Sequence, residues 1–86
     1  MKINYHKKFF KNFDKLPLKI RDRFYQRSRL FEQSPFHPVL NNHSVDAVYP
    51  NWRSINITGD YRALYEPLGD DVIEFMKIGT HSELYG

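Results

Sequence analysis

Apolar and polar residues recur at two different spacings along the first third of the chain. Residues 2–7 alternate with the period of a strand, and the apolar residues from position 9 onwards recur at the spacing of a helix. Pro17 suits the first turn of a second helix, where its missing N–H needs no partner. Two prolines in segment 34–38 disfavour helical backbone in the residues before them, so the second helix should end there.

Each of these two helices is expected to bury one side. The predicted buried side of the first helix carries Phe9, Phe10, Phe13 and Leu16. The predicted buried side of the second helix carries Leu18, Ile20, Phe24, Tyr25 and Phe31. Lysine and arginine residues cover much of the remaining helix surface.

The second half of the chain has the pattern of three strands, which follow a Pro- and Asn-rich connection. Alternation of period 2 predicts these strands at residues 52–57, 61–65 and 72–78. Thr58-Gly59 and the segment 67–70 (PLGD) are typical of turns and should separate the strands.

The predicted order of elements is therefore β-α-α-β-β-β. This order indicates an α+β fold in which two N-terminal helices pack on one face of a small, mainly antiparallel sheet. A chain of 86 residues has room for one core, so we expect a single domain over residues 1–86. The polar segment 79–86 is expected to fold over an edge of the sheet.

Charge is divided unevenly between the two halves of the chain. Residues 1–34 hold ten Lys and Arg against three Asp and Glu (10 − 3 = +7), and residues 35–86 hold three against seven (3 − 7 = −4). A basic front half favours a polyanionic partner or an acidic protein, although a pair of well-solvated helices would have the same composition. The absence of cysteine excludes disulfides and thiolate chemistry. We expect no cofactor, no metal, no membrane segment and a cytoplasmic protein.

Three residues near the predicted strands carry groups suited to RNA cleavage. A ribonuclease that forms a cyclic phosphate needs a base for the 2′-OH, an acid for the leaving oxygen and positive charge beside the phosphate. Asp60 can be the base, His81 the acid, and Arg62 the phosphate ligand. Each residue also has a structural interpretation, because Asp60 is a common turn residue, Arg62 can pair with Glu74, and His81 can be a surface side chain.

Two motifs at their mutual spacing resemble a known family. The stretch 52–66 (WRSINITGDYRALYE) resembles the core motif of RelE-type toxins, in which YRS precedes GDYR and a further tyrosine, particularly in the YafQ-like branch. Segment 78–85 (IGTHSELY) and the lead-in 40–43 (LNNH) resemble the same branch. With the matching order of elements, the resemblance to the RelE/ParE superfamily covers essentially the whole chain.

The resemblance implies a toxin of a type II toxin–antitoxin system that cleaves messenger RNA in the ribosomal A site. Such mRNA interferases act through attack of the 2′-OH, which gives a 2′,3′-cyclic phosphate, and a cognate antitoxin silences them. The matched positions imply that His43, Asp60 and His81 are catalytic. The residues expected to bind substrate are Arg53, Asn56, Arg62 and Tyr85. The implied partners are the antitoxin, the ribosome with its rRNA, and mRNA.

One position departs from the YafQ-like pattern, and two other functions stay open. Asn56 stands where that branch has a histidine, and an amide cannot exchange a proton near neutral pH. Asp60 and His43 therefore remain alternative bases. ParE-like toxins of the same superfamily poison DNA gyrase and cleave no RNA, and a non-enzymatic RNA-binding module is the third interpretation.

Overall fold

One strand and two helices are followed by four strands and a short final helix, and the computed structural model describes all of residues 1–86. The strands are β1 (Lys2–Tyr5), β2 (His43–Ser44), β3 (Arg53–Asn56), β4 (Tyr61–Gly69) and β5 (Val72–Thr80). The helices are α1 (Lys7–Phe13), α2 (Leu18–Gln33) and α3 (His81–Tyr85), and a single 3₁₀ turn spans Pro38–Leu40.

All five strands form one sheet in the order β1-β5-β4-β3-β2. Only β1 and β5 are parallel, and the other three pairs of neighbours are antiparallel. The expected α+β fold with a mainly antiparallel sheet is confirmed. The two-residue strand β2 and the helix α3 are additions that the hydrophobic pattern did not predict, because two and five residues are too short to show a period.

Both long helices pack against the same face of the sheet. The contact is rich in aromatic rings: Phe9 of α1 and Phe24 of α2 lie with their centroids 5.2 Å apart, and Phe75 of β5 lies 5.2 Å from Phe24. A bulge in the pairing of β4 with β5 lets Phe75 and Ile78 both face the helices although they are three residues apart. The buried core on this face comprises Phe9, Phe13, Phe24, Phe31, Leu40, Ile55, Ile57, Ala63, Tyr65, Ile73, Phe75 and Ile78.

The opposite face of the sheet carries a smaller cluster that holds α3 in place. Leu84 of α3 is buried against Leu64 of β4 and Val45, which follows β2. Tyr49, Trp52 and Tyr85 pack around this cluster. The final segment therefore forms a helix seated on the sheet face that α1 and α2 leave open.

The hairpin between β4 and β5 turns later than the sequence pattern indicates. Segment 67–70 was expected to form the turn, but β4 continues to Gly69 and pairs it with Val72. The two connecting residues, Asp70 and Asp71, have φ of 50° and 60°. Two positive φ values are what a tight hairpin of the favoured hand requires, and Asp tolerates them better than most residues.

Three apolar residues that were expected on the buried sides of the helices are exposed. Leu18 is 65% exposed, Tyr25 53% and Phe10 49%. Leu18 is the first residue of α2, and Tyr25 and Phe10 lie beside the buried stripe, where their rings contact Phe13 and Tyr5. Helical spacing predicts which side of a helix faces inward, but it does not predict how wide the covered strip is.

Candidate active site

A cleft on the α3 side of the sheet brings together residues from four parts of the chain. Its volume is about 350 Å³. Strand β2 contributes His43, β3 contributes Ser54, β4 contributes Arg62, and α3 contributes His81 and Tyr85. The other lining residues are Ser44, Val45, Asp46, Ala47 and Val48, from the end of β2 and the loop after it.

His43 enters the cleft with one ring nitrogen already engaged. Its Nδ1 lies 2.8 Å from the carbonyl oxygen of Asn41, which has φ of 44° and turns the chain into β2. A carbonyl oxygen only accepts, so Nδ1 must carry the proton of this hydrogen bond. In the neutral ring, Nε2 is then the unprotonated nitrogen, and His43 is oriented to accept a proton there.

Arg62 faces the same side of the sheet, and its guanidinium holds the turn between β3 and β4. Its N–H groups donate to the carbonyl oxygens of Thr58 at 2.9 Å, Tyr61 at 3.1 Å and Gly59 at 3.1 Å. A guanidinium has five N–H donors, so two remain for a ligand (5 − 3 = 2). Arg62 is thus positioned by the backbone and still able to bind an oxyanion.

His81 and Tyr85 stand one helical turn apart on α3, and their rings lie 4.8 Å apart. A capping box begins this helix: Thr80 Oγ1 accepts from the Glu83 amide at 3.2 Å, and Glu83 Oε1 accepts from the Thr80 amide at 2.7 Å. The hydroxyl of Tyr49 donates to the carbonyl of Leu84 near the other end. Both rings are therefore presented by a helix that is fixed at its two ends.

Burial of its ring raises the pKa of Tyr85, and the neighbouring Tyr49 adds to the increase. The positive charge of Arg62 and the nearby Ser54 hydroxyl act in the opposite direction. The phenol therefore stays protonated at neutral pH, where it can donate a hydrogen bond but cannot act as a base.

Asp60 lies beside the cleft and does not line it. The His81 amide donates to the backbone carbonyl of Asp60 at 3.3 Å, which joins the β3–β4 turn to the start of α3. The Asp60 side chain itself is exposed and makes no hydrogen bond. The backbone of Asp60 is therefore next to His81. The Asp60 carboxylate lies outside the group formed by His43, Arg62 and Tyr85.

The other two expected substrate ligands lie away from the cleft. Asn56 pairs with Arg62 across the sheet and also borders a smaller hollow beside Arg23 and Arg27 of α2. Its Oδ1 is buried without a partner. Arg53 donates from Nε to Oδ1 of Asn42 at 2.8 Å and lies over the Phe36 ring. These contacts place Arg53 in the packing of the connection before β2.

The cleft lining holds one cationic and one anionic side chain, Arg62 and Asp46. The Asp46 carboxylate already accepts a hydrogen bond from the Asn51 amide, whereas Arg62 has N–H donors left for a ligand. No group of three or more acidic or histidine side chains is arranged to hold a metal ion. None of the helices combines the length and the apolar character that a membrane span requires.

The sequence interpretation missed Ser54, Tyr49 and Trp52 as parts of this site. Tyr49 stacks on Trp52 with ring centroids 4.8 Å apart and supports Tyr85 from the other side. Their signal in the sequence is weak, because the connecting loop has no periodicity. Ser54 carried no signal either, because it shares with Asn56 the face of β3 opposite Ile55 and Ile57, where an alternating strand places its polar residues.

A family model described as the ParE toxin of the type II toxin–antitoxin system parDE matches residues 3–85. The chain belongs to this toxin family. The expected membership of the RelE/ParE superfamily is thereby confirmed, and the protein is a toxin of a toxin–antitoxin system. No curated protein sequence matches this toxin closely enough to count as a relative.

Solved structures with the same fold extend over almost all of the toxin. YafQ from E. coli has a TM-score of 0.81 and 20% identity, with 98% of this chain and 97% of that chain covered. RelE in the RelB–RelE antitoxin–toxin complex from Methanococcus jannaschii has a TM-score of 0.74 and 23% identity, with 95% and 94% covered. A conserved protein from Helicobacter pylori has a TM-score of 0.68 and 30% identity, with 99% of each chain covered.

Proposed function

We propose that this toxin is a ribosome-dependent endoribonuclease that cleaves messenger RNA in the ribosomal A site and so inhibits translation. The observation that carries the proposal is the convergence of His43, Arg62 and His81, from three separate elements, on one cleft. In the proposed reaction the 2′-oxygen of the RNA attacks the adjacent phosphorus and the bond to the 5′-oxygen breaks. The products are a 2′,3′-cyclic phosphate and a free 5′-hydroxyl.

His43 is the proposed general base. The hydrogen bond from its Nδ1 to Asn41 leaves Nε2 as the proton acceptor in the neutral ring. Asp60 was the alternative base from the sequence, and its carboxylate does not line the cleft. The geometry therefore favours His43, with Asp60 contributing its backbone carbonyl to the position of His81.

His81 is the proposed general acid, which gives its proton to the departing 5′-oxygen. Arg62 offers its two remaining N–H donors to the non-bridging phosphate oxygens, which carry the growing negative charge. The Tyr85 phenol, which stays protonated, donates a hydrogen bond or stacks on a base beside the scissile phosphate.

The proposed partners follow from likeness and charge. YafQ from E. coli is held in a DinJ–YafQ toxin–antitoxin complex, and RelE from M. jannaschii is held by RelB. By analogy with these complexes, a cognate antitoxin silences this toxin in the cytoplasm. The excess of lysine and arginine in residues 1–34 supports contact of α1 and α2 with ribosomal RNA, because phosphate contacts dominate nucleic-acid affinity.

Primer extension on a message in a reconstituted translation reaction tests this proposal. Wild-type toxin should cut at in-frame positions only when ribosomes are present. His81→Ala should cut about 10²–10⁴-fold more slowly, which is the usual cost of removing a general acid. His37→Ala is the matched control, because His37 is exposed and contacts the 3₁₀ turn rather than the cleft. Equal rates for His81→Ala and wild type would refute the assignment of the acid.

The ParE family match supports a second candidate, which is poisoning of DNA gyrase. A supercoiling assay with purified gyrase separates the two functions. Inhibition of supercoiling without any RNA cleavage would replace the nuclease proposal. Translation inhibition that persists in His81→Ala without cleavage would indicate the RNA-binding module.

A further inference from the structure

Ser54 is a buried polar residue whose hydroxyl has no partner. The side chain is 1% exposed, and no group meets Oγ in good hydrogen-bond geometry; the candidate partner is the Tyr85 phenol, whose pKa the Ser54 hydroxyl lowers. A buried hydroxyl without a partner is destabilising, because it has lost water and gained nothing in exchange. Most buried polar groups are satisfied, so an exception calls for a physical reason.

The surroundings of Ser54 supply a reason, because it occupies the centre of the cleft floor. It pairs directly with His43 on β2 and with Leu64 on β4. Residues paired across an antiparallel sheet hold their Cβ atoms about 4.5–5.5 Å apart. Arg62 lies on the same face two residues before Leu64, and the Tyr85 phenol is near enough to Ser54 to influence its own titration.

The second polar position on this face of β3 is also unsatisfied. Oδ1 of Asn56 is buried without a partner, whereas the intervening Ile55 faces the helix core. Two unpartnered polar side chains on one face of a four-residue strand are unfavourable for stability alone. A phosphate ester, which offers several acceptor oxygens, is the kind of ligand that an O–H donor between His43 and Arg62 suits.

We propose that Ser54 is a further substrate-binding residue, whose hydroxyl donates a hydrogen bond to a non-bridging oxygen of the scissile phosphodiester. The inference rests on the proposed nuclease function and adds a neutral donor to the charged one from Arg62. The Tyr85 phenol is the present neighbour of the hydroxyl, and in the proposed complex the phosphate oxygen is its better acceptor.

The same hydroxyl would have a different signature if it served only to support the fold. A supporting hydroxyl stabilises the protein, and its removal lowers the melting temperature. An unpartnered hydroxyl that waits for a ligand does the opposite, and its removal leaves the melting temperature unchanged or raises it. Removing the Ser54 hydroxyl should therefore slow cleavage without lowering the melting temperature.

Ser54→Ala tests the proposal in a single-turnover cleavage assay on programmed ribosomes with toxin in excess. We expect cleavage to slow by about 10- to 100-fold, the effect of losing one hydrogen bond to a charged group. The melting temperature should stay unchanged or rise. The matched control is Ser28→Ala, since Ser28 is buried on α2 away from the cleft and its neighbour is Tyr5. This control should cleave at the wild-type rate.

Three outcomes would overturn the proposal or separate it from the proposed function. Unchanged cleavage by Ser54→Ala would overturn it, and so would slower cleavage accompanied by a lower melting temperature. If wild type itself cleaves nothing, the nuclease function fails, and binding of a 2′-deoxy dinucleotide, followed through the ring resonances of His43, decides the role of Ser54. Weaker binding by Ser54→Ala would then support the phosphate contact, and equal binding would refute it.

Discussion

Gly79 determines how tightly helix α3 can be capped, and this makes a quantitative prediction possible. A Cβ at position 79 would lie 3.1 Å from Oε1 and 3.4 Å from Cβ of Glu83. Oε1 is the atom that accepts the 2.7 Å hydrogen bond from the Thr80 amide. Gly79→Ala therefore displaces the carboxylate by a few tenths of an ångström and weakens the capping box.

The expected loss follows from the usual contribution of an N-terminal cap. Loss of a cap costs about 1 kcal/mol, within a range of about 0.5–2 kcal/mol. A five-residue helix is marginal without its cap and tertiary contacts, so the loss should appear as more frequent opening of α3. About 1 kcal/mol corresponds to roughly fivefold faster hydrogen exchange. Residue 79 stays in β5 during this opening, so the reduced backbone freedom of alanine does not offset the effect.

Hydrogen exchange at the Glu83 and Gly86 amides, which bond to Thr80 Oγ1 and the Ser82 carbonyl, measures this opening. Glu83→Ala should accelerate exchange by a similar factor, and Glu83→Gln should not, because its amide oxygen still accepts from Thr80. In the Glu83→Ala background, Gly79→Ala should have little further effect, since the displaced carboxylate is absent.

Gly59→Ala is the matched control for this series, because nothing lies within 4 Å of its added Cβ. It should leave exchange in α3 unchanged. Purely additive effects of Gly79→Ala and Glu83→Ala, or equal acceleration by Gly59→Ala, would refute the reasoning.

Two further predictions concern Arg53 and Tyr85. Arg53→Ala should lower the free energy of unfolding by about 1–3 kcal/mol in urea denaturation, because it leaves the Asn42 side chain without its donor. Full cleavage by the folded variant would identify Arg53 as structural, and loss of cleavage would restore its expected role in binding substrate. Burial raises the pKa of Tyr85 above its ordinary value of 10.0, so its contribution to stability is present below about pH 10 and is lost as the pH rises through the folded-state pKa. Thermal melts from about pH 9 to about pH 11 should show a smaller decline for Tyr85→Phe than for wild type, and equal declines would contradict the buried-phenol explanation.

The long elements were predictable because each of them spans several periods of its hydrophobic pattern. Phe9, Phe13, Phe24 and Phe31 recur at helical spacing over enough turns to indicate which helix sides are buried, and the core contains all four. The sequence pattern misplaced the turn between β4 and β5, because Pro67 and Gly69 favour turns more strongly than Asp70 and Asp71 do. The pairing of β4 with β5 decides the turn, and that pairing is a tertiary property.

The candidate site was predictable only in part, for a similar reason. His81 and Arg62 stand out as chemical groups, and the resemblance supplied His43. The tautomer of His43 depends on the left-handed backbone of Asn41, and the isolation of the Ser54 hydroxyl depends on packing by Tyr85. Contacts between distant parts of the chain produce both features, so local patterns carry no signal for them.

The parallel pairing of β1 with β5 also means that the sheet can be completed only late in synthesis. The backbone groups of β1 that face β5 find their partners only in residues 72–75, which are made much later. His81 and Tyr85 are made later still, after β5. A ribosome that is partway through the message therefore carries a nascent chain with neither a complete sheet nor a complete cleft. A chain that has not yet reached β5 therefore leaves the inward backbone edge of β1 unpaired and lacks the two α3 side chains that line the cleft.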